Sequence, residues 1–231
     1  MTIRRDERVA ESLTRRLLAA GAVAGPVFVT TFLVEGATRA DYDPLRHPVS
    51  SLALGPGRWV QVANFCATGA MYVAFAAGLT RSPRSSVRSR VGPWLIGAAG
   101  AGMVGSGLFR TDPVSGYPAG TPDVHPGYSS SAAALHDAFA VPTFLGLPAA
   151  ALVFAGSFLR SGRRGWALCS AGTGLVMLVG FGLSSAAFGQ APALVNLGGL
   201  FQRATIITGF AWLTALAVRT GRGATLRGRL R

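Results

Sequence analysis

Lysine is absent from this 231-residue chain, and acids are scarce: nine Asp and Glu stand against 22 arginines, a net charge of +13. Charged residues make up 13% of the sequence, where an ordinary soluble domain carries roughly a quarter. That deficit excludes the usual water-soluble surface. Half of the residues are hydrophobic. The arginine excess does not point to nucleic acid, which needs a continuous basic face or helix. Here the arginines are divided among tails and short loops that flank apolar runs, where anionic lipid headgroups attract them. Cysteine is nearly absent as well. Cys66 and Cys169 both lie in apolar stretches, at opposite depths of the expected bilayer. A disulfide needs Cα atoms within about 7 Å, so none is expected, and both read as small packing residues.

What is present is a series of long apolar runs. A helix that spans a bilayer needs about 20 predominantly apolar residues. Six segments fit: 17–34, 59–79, 93–109, 138–159, 166–188 and 200–218. The expected fold is an all-α bundle of six transmembrane helices, residues 17–218, between basic tails at 1–16 and 219–231. Pro26, Pro142 and Pro148 fall inside segments, which membrane helices tolerate when neighbours re-satisfy the freed backbone groups. The first run is longer than a signal-peptide core and lacks a small-x-small cleavage site, so it reads as a retained span.

The arginines alternate between the gaps. The N-terminal tail has five, the second loop four, the fourth loop three and the C-terminal tail five, whereas the first, third and fifth gaps together hold five. The positive-inside rule then places both termini in the cytoplasm of a multi-pass cell-membrane protein. Small residues recur every four positions, as Ala98, Gly102 and Ser106 in the third span and Ser170 and Gly174 in the fifth. Such faces let helices approach closely. The expected use is packing within the chain, and the same faces would also serve a homo-oligomer.

Six of the nine acids and all three histidines lie in the first, third and fifth gaps. The segment Tyr42–Gly69 contains Arg46-His-Pro-Val-Ser-Ser-Leu and Trp59 through Phe65. Gly107-Leu-Phe-Arg-Thr-Asp112 follows, then His136 at the start of the fourth helix and Gln202-Arg203 at the start of the sixth. In their order and spacing these motifs resemble a bacterial integral-membrane family catalogued as domain of unknown function number 998. The resemblance covers most of the chain from the first helix to the sixth. It implies a six-helix membrane protein and supplies no activity.

The chemistry must therefore be argued from the residues. Pro48 suits a helix start, and Gly55-Pro-Gly would end that helix within two turns, giving a short interfacial helix in the first external loop. Ser50 and Ser51 would share a face with His47. A histidine beside a hydroxyl is the minimum for an activated nucleophile, and it is also an ordinary way to satisfy a helix start. His47, His125, His136 and Asp112 together offer the nitrogen and oxygen ligands that a divalent metal such as zinc prefers, although no His-x₃-His or His-Glu-x-x-His spacing occurs. Asp112, at a helix C-terminus, needs a partner: Arg110, Arg203, a histidine or a metal. Asp137 reads as a charge cap at a helix N-terminus. Arg203 lies just inside a span, where burial of an arginine costs up to about 3 kcal/mol. It should pair with Asp112, Asp137 or Glu35, or clamp an anionic headgroup. Asn64, Thr68, Ser184 and Ser185 read as interhelical hydrogen-bonding groups.

Two functional readings follow. In the first, a metal held by His47, Asp112 and His136, with His125, activates water. Ser50 then assists and Arg203 holds a lipid or ester substrate. The inventory is similar in kind to that of alkaline ceramidases and adiponectin receptors, but those have seven helices and a close histidine pair, and this chain has neither. In the second, the same residues form a structural network tying the first and third gaps to the helix ends of a membrane scaffold or binding protein whose partners dock on the loops; in either reading the chain is in contact with membrane lipids. A transporter fits less well, since charges at mid-membrane depth are few.

Overall fold

The computed structural model describes residues 2–82, 89–123 and 129–228, and His125 lies outside the described residues. The described chain is helical: α1 (Thr2–Thr38), a short 3₁₀ helix (Val49–Ala53), α2 (Trp59–Arg81), α3 (Gly92–Leu108), α4 (Ser131–Arg160), α5 (Arg164–Phe188) and α6 (Gly198–Gly228). Five of these, α1, α2, α4, α5 and α6, are long and apolar enough to cross a membrane. The chain is thus a multi-pass membrane protein. The third expected span is a shorter helix of 17 residues, about 25 Å long at 1.5 Å per residue.

Several boundaries extend beyond the apolar runs. α1 continues through the basic N-terminal tail to Thr2, because Arg, Glu, Leu and Ala are good helix formers and no Gly or Pro interrupts them before Gly21. α4 begins seven residues early, at Ser131, where the Ser130 hydroxyl accepts from the Ala133 N–H at 3.1 Å as an N-cap. Pro142 cannot donate a backbone hydrogen bond, and its ring crowds the carbonyl one turn back. The helix accommodates it with a π turn over Pro142–Gly146.

Each helix packs on the next and α6 returns to α1, closing a ring of six. The ring encloses buried Phe28, Tyr72, Met103, Phe154, Phe210 and Leu213. Its outer face is apolar too: Trp94 is 75% and Leu168 74% exposed, as expected of a surface that lipid covers. Close approach is built in at α2–α3. A Cβ on Gly69 would lie 2.5 Å from the Gly100 carbonyl oxygen, and one on Gly100 2.7 Å from that of Gly69. Of the small residues singled out in sequence, Gly102 faces the Phe139 carbonyl of α4. The Ser106 hydroxyl donates to the His136 carbonyl at 3.1 Å, and Ser170 accepts from the Trp212 indole at 3.0 Å. Ala98 is exposed and takes no part. Both cysteines are free.

Candidate functional site

The first, third and fifth connections meet at one end of the ring, which we call the loop end. The segment Pro44–Val49 lies across the N-terminus of α6. Its carbonyls take the amides that a helix start leaves unpaired: Gly199 N–H donates to Arg46 and Leu200 N–H to Leu45. The Gln202 side-chain oxygen accepts from the Val49 N–H at 2.7 Å.

Arg203 completes this docking. It is 6% exposed and has no acidic partner among the described residues. Its Nη1 donates to the carbonyls of Pro44, His47 (3.0 Å) and Gly199 (3.1 Å), and its Nη2 to the Tyr42 hydroxyl. The rings of Phe32 and Tyr42 lie 5.8 and 5.5 Å from the guanidinium carbon. The acid pairing expected for Arg203 is therefore replaced by carbonyl dipoles and ring faces, because the folded first loop turns its carbonyls toward the helix. Glu35 pairs instead with Arg39 at 2.7 Å. The Tyr42 hydroxyl is pushed up to about 12, by burial first and against the opposing pull of Arg203. It stays protonated and donates to the carbonyls of Pro48 (2.9 Å) and His47 (3.2 Å).

His47 is held at both ring nitrogens. Nδ1 accepts from the Asp43 N–H at 2.9 Å, and Nε2 faces the Ser115 carbonyl at 3.1 Å. A carbonyl only accepts, so Nε2 carries the proton and the ring is the neutral Nε2–H tautomer. Burial lowers its pKa, against the Ser115 hydrogen bond and the nearby Asp43 charge. Tyr42 and Tyr117 pack on the ring with centroids 5.4 and 5.2 Å away. Ser115 belongs to a tight turn in which Ser115 and Gly116 have φ of 57° and 81°, the type I′ pattern. Arg46 ties all three connections together, reaching the Ser115 carbonyl (3.1 Å), Asn196 (3.0 Å) and Asp123 (2.7 Å).

Ser50 and Ser51 follow His47 and lie within the 3₁₀ helix of the first loop. Neither serine bonds to His47, and Ser51 is fully buried in the 3₁₀ helix. That helix exists where a short one was expected, but it packs into the ring end with Val49, Ser51, Leu52 and Ala53 buried. Asp112 accepts from the Ser129 N–H (2.7 Å) and the Ser130 hydroxyl (3.1 Å), and, among the described residues, not from Arg110, Arg203 or a histidine. Burial raises its pKa, but the Ser129 and Ser130 donors outweigh that and the net shift is downward. Among the described residues no three His, Cys, Asp or Glu side chains are grouped to hold a metal. His47 spends Nδ1 on the Asp43 N–H and Nε2 on the Ser115 carbonyl, and Asp112 its oxygens on the Ser129 and Ser130 donors. Asn64 reaches the Phe28 carbonyl of α1 at 3.1 Å, whereas Ser184 bonds within its own helix.

His136 stands apart from this network. It is 4% exposed, and its Nδ1 donates to the Phe109 carbonyl at 3.0 Å. Nε2 has no hydrogen-bond partner among the described residues, and wherever Nδ1 carries the ring's single proton it offers a lone pair. The ring borders a cavity of about 80 Å³ inside the loop end of the ring. Phe28, Phe65, Met103, Phe144, Ile206 and Phe210 make its apolar wall, and Ser50, Ser106, His136, Asp137, Thr143 and Gln202 its polar part. Asp137 is the exposed member of the lining. Five of the six long helices and the 3₁₀ helix contribute, and two of the wall residues, Thr143 and Phe144, sit on the π turn. The sequence marks Ser50, His136, Asp137 and Gln202, and Ser106 only as a small packing residue, but not Thr143, Phe144 or Tyr117. The Ser115-Gly116 pair was a readable turn signal, whereas a cavity wall gathered from five helices leaves no local pattern.

No curated protein and no solved structure matches this chain. The model of the family described as protein of unknown function (DUF998) matches residues 5–219, nearly the whole length, and the chain belongs to that family.

Proposed function

We propose that the protein binds an amphiphile drawn from the outer leaflet, seated in the His136 cavity. In this reading all six helices cross the bilayer, the termini are cytoplasmic and the loop end is external. One observation carries it: an aromatic-walled cavity inside a membrane bundle, bordered by a histidine with one ring nitrogen pinned and the other open. Ligand sites are characteristically concave, mostly apolar and furnished with a few placed polar groups. The Arg203 and His47 network holds the cavity's first-loop wall, Val49 and Ser50, in place.

The test is the lipid complement of purified protein. Wild type should retain a bound amphiphile in native mass spectrometry, and Ala140→Phe, which fills the cavity from α4, should lose it while remaining folded. Identical complements in the two proteins would dispose of the reading.

A second reading is hydrolysis, favoured by Ser50 and His136 bordering the same cavity. His136 would take the Ser50 proton as the hydroxyl adds to a bound ester's carbonyl and return it to the departing alcohol, and water would then cleave the acyl-serine bond and restore Ser50. Catalytic hydrogen bonds commonly close only once substrate is present. Ser50→Ala would then abolish turnover of an ester amphiphile but not its binding. A metal-assisted version needs His47 and Asp112 to release their present partners.

A further inference from the structure

The hydrogen-bonding capacity left over in the cavity identifies the class of headgroup it takes. This step rests on the amphiphile-binding reading. Ser106 and Thr143 have given their protons to the carbonyls of His136 (3.1 Å) and Ala99 (3.3 Å), so toward the cavity they can only accept. His136 has given its Nδ1 proton to Phe109 and offers a lone pair. Asp137, the exposed member of the lining, has no partner among the described residues and adds a carboxylate to the polar side. The remaining donors are the Ser50 hydroxyl and the Gln202 amide, whose oxygen is already taken by Val49. Arg203, the cation that the sequence offered for an anionic head, has turned its Nη donors to the first loop and Gly199.

We infer that the cavity selects a headgroup that donates hydrogen bonds, a hydroxyl or a primary ammonium, over a phosphate or carboxylate. A donor head can satisfy the His136 lone pair and meet Asp137 favourably. An anionic head would leave that lone pair unmatched, find only Ser50 and Gln202 as donors, and meet a like charge at Asp137. Buried polar atoms without partners are costly, so the mismatch discriminates.

The experiment uses full-length protein in phosphatidylcholine nanodiscs and four probes with one decyl chain: decanol, decylammonium, decyl phosphate and decanoate. Binding to the filled variant Ala140→Phe is subtracted to remove simple partitioning. Decanol or decylammonium should bind about tenfold or more tightly than either anion. Asp137→Asn separates the two sources, weakening decylammonium and sparing decanol. His136→Phe should reduce the preference for both. Anions that bind wild type as tightly as the donor heads overturn the selectivity and leave the cavity reading standing. If no probe distinguishes wild type from Ala140→Phe, the cavity reading itself fails and this inference with it.

Discussion

Arg203 and His47 show how single residues acquire roles through the bonds that reach them. Arg203 has a planar fork of donors, and three carbonyls and a tyrosine hydroxyl are arranged around it. An ammonium keeps the charge but cannot match that fork. Arg203→Lys should therefore cost about 2–4 kcal/mol of stability, since buried carbonyls lose charged donors. Thermal unfolding in detergent measures this, and a wild-type midpoint would contradict the carbonyl clamp. His47 gives a pH signature. Burial depresses its pKa below the ordinary value of a free imidazole, so the unfolded chain takes up the proton first. Its contribution is complete above that pH and is lost as pH falls through the folded value. Wild type should lose melting temperature between pH 7.5 and pH 5.5 more steeply than His47→Gln, and parallel slopes would count against the neutral, doubly bonded ring.

Among the elements, α3 depends most on what it lacks. Its carbonyl-to-glycine contact with α2 leaves no room for a methyl group at Gly100, and overpacking typically costs about 1–3 kcal/mol. Gly100→Ala should fall in that range. Gly172→Ala, with nothing within 4 Å of the added carbon, should change stability by no more than about 0.5 kcal/mol. Equal effects at the two positions would mean that α2 and α3 are not packed as described. The sequence pattern Ala98-Gly102-Ser106 marked the correct helix and, at two of its three positions, the correct face. It could not mark the Gly69–Gly100 contact, because two residues that touch across helices share no local spacing. The π turn in α4 is similar. Pro142 announces an irregularity, but only the neighbouring helices determine that Thr143 and Phe144 border the cavity.

At the scale of the whole molecule, the alternation of arginine and the closed ring make one joint prediction. If α3 crosses the bilayer despite its 17 residues, the number of spans is even and both termini face the cytoplasm. Tags at the two ends should then be protected from an external, membrane-impermeant label to the same degree, while a cysteine placed at Asp123 in the third connection reacts. One tag labelled and the other protected would mean that α3 does not cross. The same architecture gathers the three polar connections at one end, where Arg46 joins them and Arg203 fastens the first to α6.

Helical class, a membrane setting and the arginine asymmetry were determined by composition and order alone. Hydrophobic length and charge are summed along a segment, and no partner is needed to read them. The individual candidates His47, Asp112, His136 and Arg203 were visible for the same reason, as polar groups in an apolar chain. Their roles were decided only by tertiary structure. Whether a histidine's lone pair is spent on Asp43 N–H, as in His47, or stays open beside a cavity, as in His136, depends on atoms that folding brings from distant segments. A donor or lone pair already engaged is no longer free for a ligand, and the sequence does not record where it is engaged.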